Sequence, residues 1–277
     1  MHSCLELLEP RRLLSSAIIY VDLNAPGPRH DGSSWQQAYV DLQDALAAAR
    51  TGDQIRVADG TYSPGTNFGD RFQLKDGTAT RGGYAGYGAA NPDARDVNAF
   101  RTILTSNNYG NDIGVVSADG TGRGTILDGF TIKTVGWIQV GITNVGGAPT
   151  ISNCTFTGGA GIDNSDGASP VISNCTFTDG EGAIPGAIGL FNASALITGC
   201  TFVRYHGVFG GALYSYRSSM IVRNCTFTRN TAAHEGQAVW LYESTATFQD
   251  CDFTRNGEAT EAGGATLRNS ILWGNCA

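Results

Sequence analysis

The sequence predicts an all-β fold, a right-handed parallel β-helix: a solenoid with three short strands per coil and an N-terminal amphipathic capping helix. Three observations predict it. First, five segments read almost alike: Ile151–Thr157, Ile172–Thr178, Ile197–Val203, Val222–Thr228 and Phe248–Thr254. Their cysteines, Cys154, Cys175, Cys200, Cys225 and Cys251, are 21, 25, 25 and 26 residues apart, and a period in the twenties marks stacked coils. Second, apolar and polar residues alternate within each segment, as strands with one buried face require. Third, 38 of 277 residues are Gly and only 16% are charged, which suits short strands joined by tight turns.

The elements follow in order. Residues 1–16 stand apart as a leader or disordered N-terminus, and residues 17–277 form a single β-helix domain. Within it, 17–60 supply a first strand (Ala17–Leu23) and the capping helix, 61–136 irregular coils with loops, and 137–277 regular coils. The helix is expected over Ser34–Arg50. Ser34 and Gln37 make a capping-box pattern, Trp35, Tyr39, Leu42, Leu46 and Ala49 fall on one stripe, and Gly52 ends it. Such a helix would cover strand groups that an open solenoid end leaves unpaired. Short strands are expected at Gln54–Val57, Phe72–Leu74, Thr102–Leu104, Gly114–Val116 and Thr125–Ile132. The segment Gly60–Asn98, with Tyr62, Tyr84 and Tyr87, reads as a loop-rich elaboration.

From Trp137 onward three strand columns align. The first runs through Gly141–Val145, Gly161–Ser165, Ala187–Phe191, Ala212–Tyr216, Ala238–Tyr242 and Ala265–Asn269. The second is centred on Ile151, Ile172, Ile197, Val222 and Phe248. The third is the Cys-Thr-Phe run. The column residues Ile/Val/Phe, Cys and Phe (156, 177, 202, 227 and 253) point inward, and Asn153, Asn174 and Asn224 turn the corner before Cys. Cysteines stacked about 4.8 Å apart with parallel side chains read as small buried apolar residues rather than disulfides. With no C-x-x-C pair, no zinc site or other metal is expected.

The net charge of −7 and pI near 5.0 exclude a basic nucleic-acid-binding face, and no apolar run reaches the roughly 20 residues of a membrane span. No cofactor motif is recognised; the Gly-rich stretch Gly82–Gly88 reads as turns.

Three patterns are candidate sites. Outward positions of the first column carry Phe191, Tyr214, Tyr216, Trp240 and Tyr242 on three successive coils, a stacking platform for sugar rings unless a long loop packs over them. Four residues past each Cys stand Gly158, Asp179, Arg204, Arg229 and Arg255. Stacked cations repel unless anions lie between them, so Asp179 or an acidic polysaccharide would neutralise them; otherwise they splay into solvent. Asp250 and Asp252 flank Cys251 about 6–7 Å apart by strand geometry, a spacing compatible with a glycosidase pair. Glu235, Glu243 and His234 lie on the preceding coil, and His206 on the one before. Asp250 equally reads as a corner residue and Asp252 as an outward Thr replaced.

The Leu8-Glu9-Pro10-Arg11-Arg12-Leu13-Leu14 string resembles the LEPR-type leader of bacterial surface and exported proteins. The Asn-Cys-Thr-Phe runs, Gly210-Gly211-Ala212-Leu213-Tyr214 and Asn269-Ser270-Ile271-Leu272-Trp273-Gly274-Asn275 resemble the polymorphic outer-membrane protein repeat. They also look like the wider pectin-lyase-like superfamily. That resemblance implies an exported or cell-surface protein, some relatives being adhesive. Polygalacturonase-like and pectate-lyase-like site elements are missing from the strands. The expected function is therefore a non-catalytic binding, adhesive or structural module toward carbohydrate or a surface protein. Its binding residues would be Tyr214, Tyr216, Trp240, Tyr242, Arg204, Arg229 and Arg255. An open last coil would allow end-to-end self-association. The alternative is a polysaccharide lyase or glycoside hydrolase using Asp250, Asp252, Arg204 and Arg229.

Overall fold

The computed structural model describes residues 16–67, 69–106, 114–135, 139–182, 186–257, 260–261 and 264–275. The leader expected over 1–16 therefore lies, apart from Ser16, outside the described residues, as does Trp137. Three parallel sheets run the length of the solenoid, with ten, nine and eight strands among the described residues. Sheet A carries the isoleucine column, sheet B the Cys-Thr-Phe column and sheet C the aromatic column, and the chain visits them in the order C, A, B on each regular coil.

Register is one residue on one residue. Ile151 pairs with Ile172, Ile172 with Ile197, Ile197 with Val222 and Val222 with Phe248 in sheet A. Phe156, Phe177, Phe202, Phe227 and Phe253 do the same in sheet B, their rings 4.5–4.9 Å apart and within 7° of parallel. These residues, with Cys154, Cys175, Cys200, Cys225 and Cys251, form one continuous buried core, and all five cysteines are free thiols. The expected faces hold: a one-residue slip would have turned every Phe outward.

Left-handed corners separate the sheets. Asn153, Asn174, Asn224 and Asp250 hold φ of +51 to +55 before sheet B, with Gly199 in the same column at +63. Asn tolerates this region better than most residues because its short side chain bonds locally. The corner after sheet B is also left-handed, at Asp179, Arg204, Arg229 and Arg255.

Two expectations are corrected. The helix, α1, spans only Leu42–Ala48, with Asp41 as N-cap accepting from the Gln43 amide and Ala49 as C-cap. Ser34 and Gln37 close a turn instead, Ser34 Oγ accepting the Gln37 amide at 3.3 Å. Tyr39 is extended and bridges Val21, and that backbone pairing outweighs the helical stripe. Gly52 lies beyond the helix, its amide on Gly77 O at 2.8 Å. Leu42, Ala45 and Leu46 still enter the core, so α1 covers the N-terminal coils as expected. At the other end, the Ala265–Arg268 strand belongs to sheet A rather than to the first column, pairing Leu267 with Phe248. The sheet C position is taken by Thr260–Glu261. The last connection is short, so the sequence returns to sheet A sooner than in earlier coils.

Candidate functional site

The aromatic side chains occupy the outer face of sheet C in two register columns. Tyr214 and Trp240 follow Gly189 in one; Phe191, Tyr216 and Tyr242 form the other. Strand alternation puts Leu213, Ser215, Val239 and Leu241 inward and these rings outward. Tyr214 and Trp240 stack at 4.8 Å and 16°, Tyr216 and Tyr242 at 5.4 Å and 3°, and Trp240 and Tyr242 are within 11° of parallel at 5.7 Å. Because Gly189 has no side chain, Phe191 leans across to Tyr214, 4.9 Å between centroids. Near-parallel rings at these separations are offset rather than eclipsed, the favoured aromatic geometry.

Exposure is uneven. Tyr242 is 45% exposed and Trp240 and Tyr216 are half-buried, whereas Tyr214 is only 8% exposed. Tyr214 is thus a support of the platform rather than part of its open surface, enclosed by Phe191 and Trp240. Its burial also raises the phenol pKa above the ordinary range. Part of the cover foreseen for the stripe exists. The segments after sheet B pair at His206–Gly207 and Thr231–Ala232, and carry Phe209 to 5.3 Å from Trp240 and His234 to 5.2 Å from Phe209. Glu235 Oε2 accepts Trp240 Nε1 at 3.3 Å. Residue spacing alone did not single out Phe209.

Arg217 also escaped notice, although it directly follows a platform tyrosine, and Glu243, expected with the acid set, pairs with it instead. Arg217 Nε donates to Glu243 Oε2 at 2.7 Å, and the guanidinium lies 5.0 Å from the Tyr216 ring centroid. This pair forms one polar border of the array.

The arginine row stands at the corner after sheet B. Arg204 holds Asp179 through both ends of its fork, Nε to Oδ1 at 2.6 Å and Nη2 to Oδ2 at 2.8 Å. The hydrogen bonds from Arg204 and then Thr178 keep the Asp179 carboxyl below its ordinary value. Arg255 lies 5.6 Å from the Trp273 ring. Arg229 is exposed and makes no ion pair among the described residues.

The acid set does not converge with these cations. Asp250 is a left-handed corner residue before sheet B, hydrogen-bonded by Asn269, and Asp252 sits on that sheet's outer face between Thr226 and Ile271. Arg204 and Arg229 occupy the corner at the far end of the two preceding strands of that sheet, Thr201–Val203 and Thr226–Thr228. Among the described residues no cluster of three His, Cys, Asp or Glu has the geometry to hold a metal ion.

A family model described as right handed beta helix region matches residues 102–276. No curated protein sequence matches the chain. Among solved structures, a pectin methylesterase from Aspergillus niger is similar at 17% identity, covering 95% of this chain and 85% of its own, with a TM-score of 0.50. A pectate lyase is similar at 14% identity over 95% of this chain and 78% of its own, with a TM-score of 0.46.

Proposed function

We propose, from the premise that this chain belongs to the right-handed β-helix family, that it is a non-catalytic carbohydrate-binding module of an exported or cell-surface protein. One observation carries the reading: the array of Tyr214, Trp240, Tyr216 and Tyr242 on the outside of sheet C, near-parallel and only partly covered. Rings held by a rigid sheet lose little freedom on binding, so their apolar surface goes into affinity. The shingled offset leaves parts of the Trp240, Tyr216 and Tyr242 rings open to the C–H side of a sugar ring, with Tyr214 behind them as support. Arg217, Glu243 and Glu235 on the border supply donors and acceptors for hydroxyls. Arg204, Arg229 and Arg255 favour a glycan with acidic groups. The leader and repeat resemblances are the grounds for export and a bacterial surface setting.

A titration of the purified chain with neutral and acidic polysaccharides, followed for both binding and bond cleavage, tests this. Saturable binding is expected. Trp240→Ala should weaken it by about 2 kcal/mol, near thirtyfold, as for a buried aromatic anchor. Release of reducing or unsaturated sugar ends would replace this reading with a lyase or hydrolase. Unaltered affinity in folded Trp240→Ala would remove the array from any binding role.

A further inference from the structure

The chain leaves sheet C through a corner that is left-handed on successive coils. Asn192, Arg217 and Glu243 hold φ of +50, +49 and +47 there, with Asn192 N on Tyr216 O at 3.0 Å and Arg217 N on Tyr242 O at 2.9 Å. Glycine holds such a backbone without steric cost, whereas Arg and Glu are disfavoured in it. Each of the three directly follows a ring of the second aromatic column, Phe191, Tyr216 or Tyr242. The corner borders an open depression of about 580 Å³, lined among others by Asn192, Ser194, Arg217, Ser219, Glu243 and Thr245. Ser194, Ser219 and Thr245 pair in register on the outer face of sheet A. All three also border a second depression of about 400 Å³, whose lining includes Val171, Leu196 and Ile221, a further register column.

The polar groups along this track are accessible and unspent. Asn192, Ser219 and Thr245 are exposed and Ser194 is half-buried. None of these four side chains hydrogen-bonds another group among the described residues. The corner's own needs are met by Ser218 and Ser244, whose hydroxyls donate to Tyr216 O and Tyr242 O and accept the amides of Ala193 and Ser218. Arg217 and Glu243 spend Nε and Oε2 on each other at 2.7 Å, with both side chains more than half exposed, so the Arg217 Nη groups and Glu243 Oε1 remain. One amide, one guanidinium, one carboxylate and three hydroxyls thus offer donors and acceptors with no net charge. Beside them Leu196 and Ile221, the latter 42% exposed, offer apolar surface. Apolar surface with a few convergent polar groups suits a neutral sugar, which has C–H faces and a hydroxyl rim. The track adjoins the rings: three residues, roughly 10 Å of chain at most, separate Tyr216 from Ser219.

We propose that this corner and the face of sheet A beyond it extend the aromatic site, with Asn192, Arg217, Glu243, Ser194, Ser219 and Thr245 holding neutral sugar residues of the same glycan chain whose neighbours lie on Tyr216 and Tyr242. The inference rests on the carbohydrate reading of the array. It adds that the ligand is a chain long enough to round the corner, its acidic groups falling elsewhere, toward the arginines after sheet B. Isothermal titration of the full chain with neutral cello-, manno- and galacto-oligosaccharides, from disaccharide to hexasaccharide, tests it. In the series that binds, affinity is expected to rise tenfold or more with length. Asn192→Gly suits the left-handed backbone and Ser219→Ala removes only a hydroxyl, so the double variant should fold. It should lose the rise and keep the affinity for the shortest oligomer bound. Trp240→Ala should instead weaken every length. Uncharged probes keep the arginines after sheet B out of the measurement. No rise with length in the wild type, or an equal rise in a double variant with native circular dichroism, overturns the extension; where Trp240→Ala still weakens binding, the array stands without it. Binding of no oligosaccharide, or unchanged affinity in Trp240→Ala, overturns the array and the extension together. Should the double variant not fold, Thr245→Val carries the same expectation.

Discussion

Arg204, Arg229 and Arg255 hold φ of +52 to +55 at a corner where Gly274 stands in the same column. A left-handed backbone costs a residue with a Cβ about 1 kcal/mol relative to Gly. Three arginines are kept there against that cost, which fits a role for the charge rather than for the turn. Arg229→Gly is therefore expected to leave the thermal midpoint unchanged or slightly raised while weakening any acidic polysaccharide. A lowered midpoint would show that the side chain supports the fold. Asp179 offers a pH test. Its carboxyl is held below the ordinary 3.8, first by Arg204 and then by Thr178. A depressed pKa stabilises the fold above the unfolded value and loses that contribution as pH falls through the folded one, so the effect is confined to pH below about 4. By NMR titration Asp179 should have its midpoint below 3.8 and move up toward it in Arg204→Gln. Absence of that movement would contradict the ion pair as its cause. The pair was legible in the sequence because no insertion separates Cys from this corner. The burial of Tyr214 was not, since it depends on Gly189 one coil away letting Phe191 lean across.

Between the corner arginines and sheet C runs an asparagine ladder. Asn256 Oδ1 accepts the Asn230 amide at 2.9 Å and Asn230 Nδ2 at 3.0 Å, while Asn256 Nδ2 donates to Phe227 O at 3.0 Å and Asn275 Oδ1 at 3.2 Å. Tyr205 takes the equivalent place one coil earlier, its amide on Asn230 Oδ1 and its hydroxyl on Gly159 O. The signal was present: Asn230 and Asn256 lie five residues past Cys225 and Cys251, a spacing as regular as that of the arginines. Asn256→Ala strands several buried partners, at about 1–3 kcal/mol for each group left unmade. It should lower the thermal midpoint well below that of Asn224→Ala, which loses only a corner residue suited to positive φ. Equal effects would reduce the ladder to a by-product of stacking. The helix tells the opposite story about legibility. Its apolar stripe was readable, but its start was set by the pairing of Tyr39 with the first strand, a contact that local spacing does not encode. Asp41, not Ser34, is the cap, and Asp41→Ala should cost about 1 kcal/mol where Ser34→Ala costs little.

Across the whole molecule, most contacts along one continuous core run between neighbouring coils, the Tyr205 hydroxyl on Gly159 O reaching one coil further, so stability is close to a sum of coil and interface contributions. This is why the regular coils could be read so far: a column assignment made for one repeat transfers to the next. The N-terminal third lacks that redundancy. Its Arg81–Asp128–Arg95 cluster joins residues from two coils and a folded-back segment, and no repeat marks it. The same logic makes position along the axis decide the cost of a substitution. Phe202 and Leu272 belong to one inward column of sheet B, linked through Phe227 and Phe253. Phe202 lies between two stacked rings and is fully buried, whereas Leu272 is 51% exposed on the last described strand of that sheet. Phe202→Ala should cost about 3–5 kcal/mol, because the gap is walled by coils above and below that cannot collapse without breaking register. Leu272→Ala in the same chain should cost about 1 kcal/mol or less. Hydrogen exchange should follow the same gradient, with amides of the Thr201–Val203 strand protected longer than those of Ile271–Trp273. Equal costs for the two substitutions, or uniform protection from centre to end, would mean that the coils unfold as one unit, and the nearest-neighbour account of this solenoid would fail.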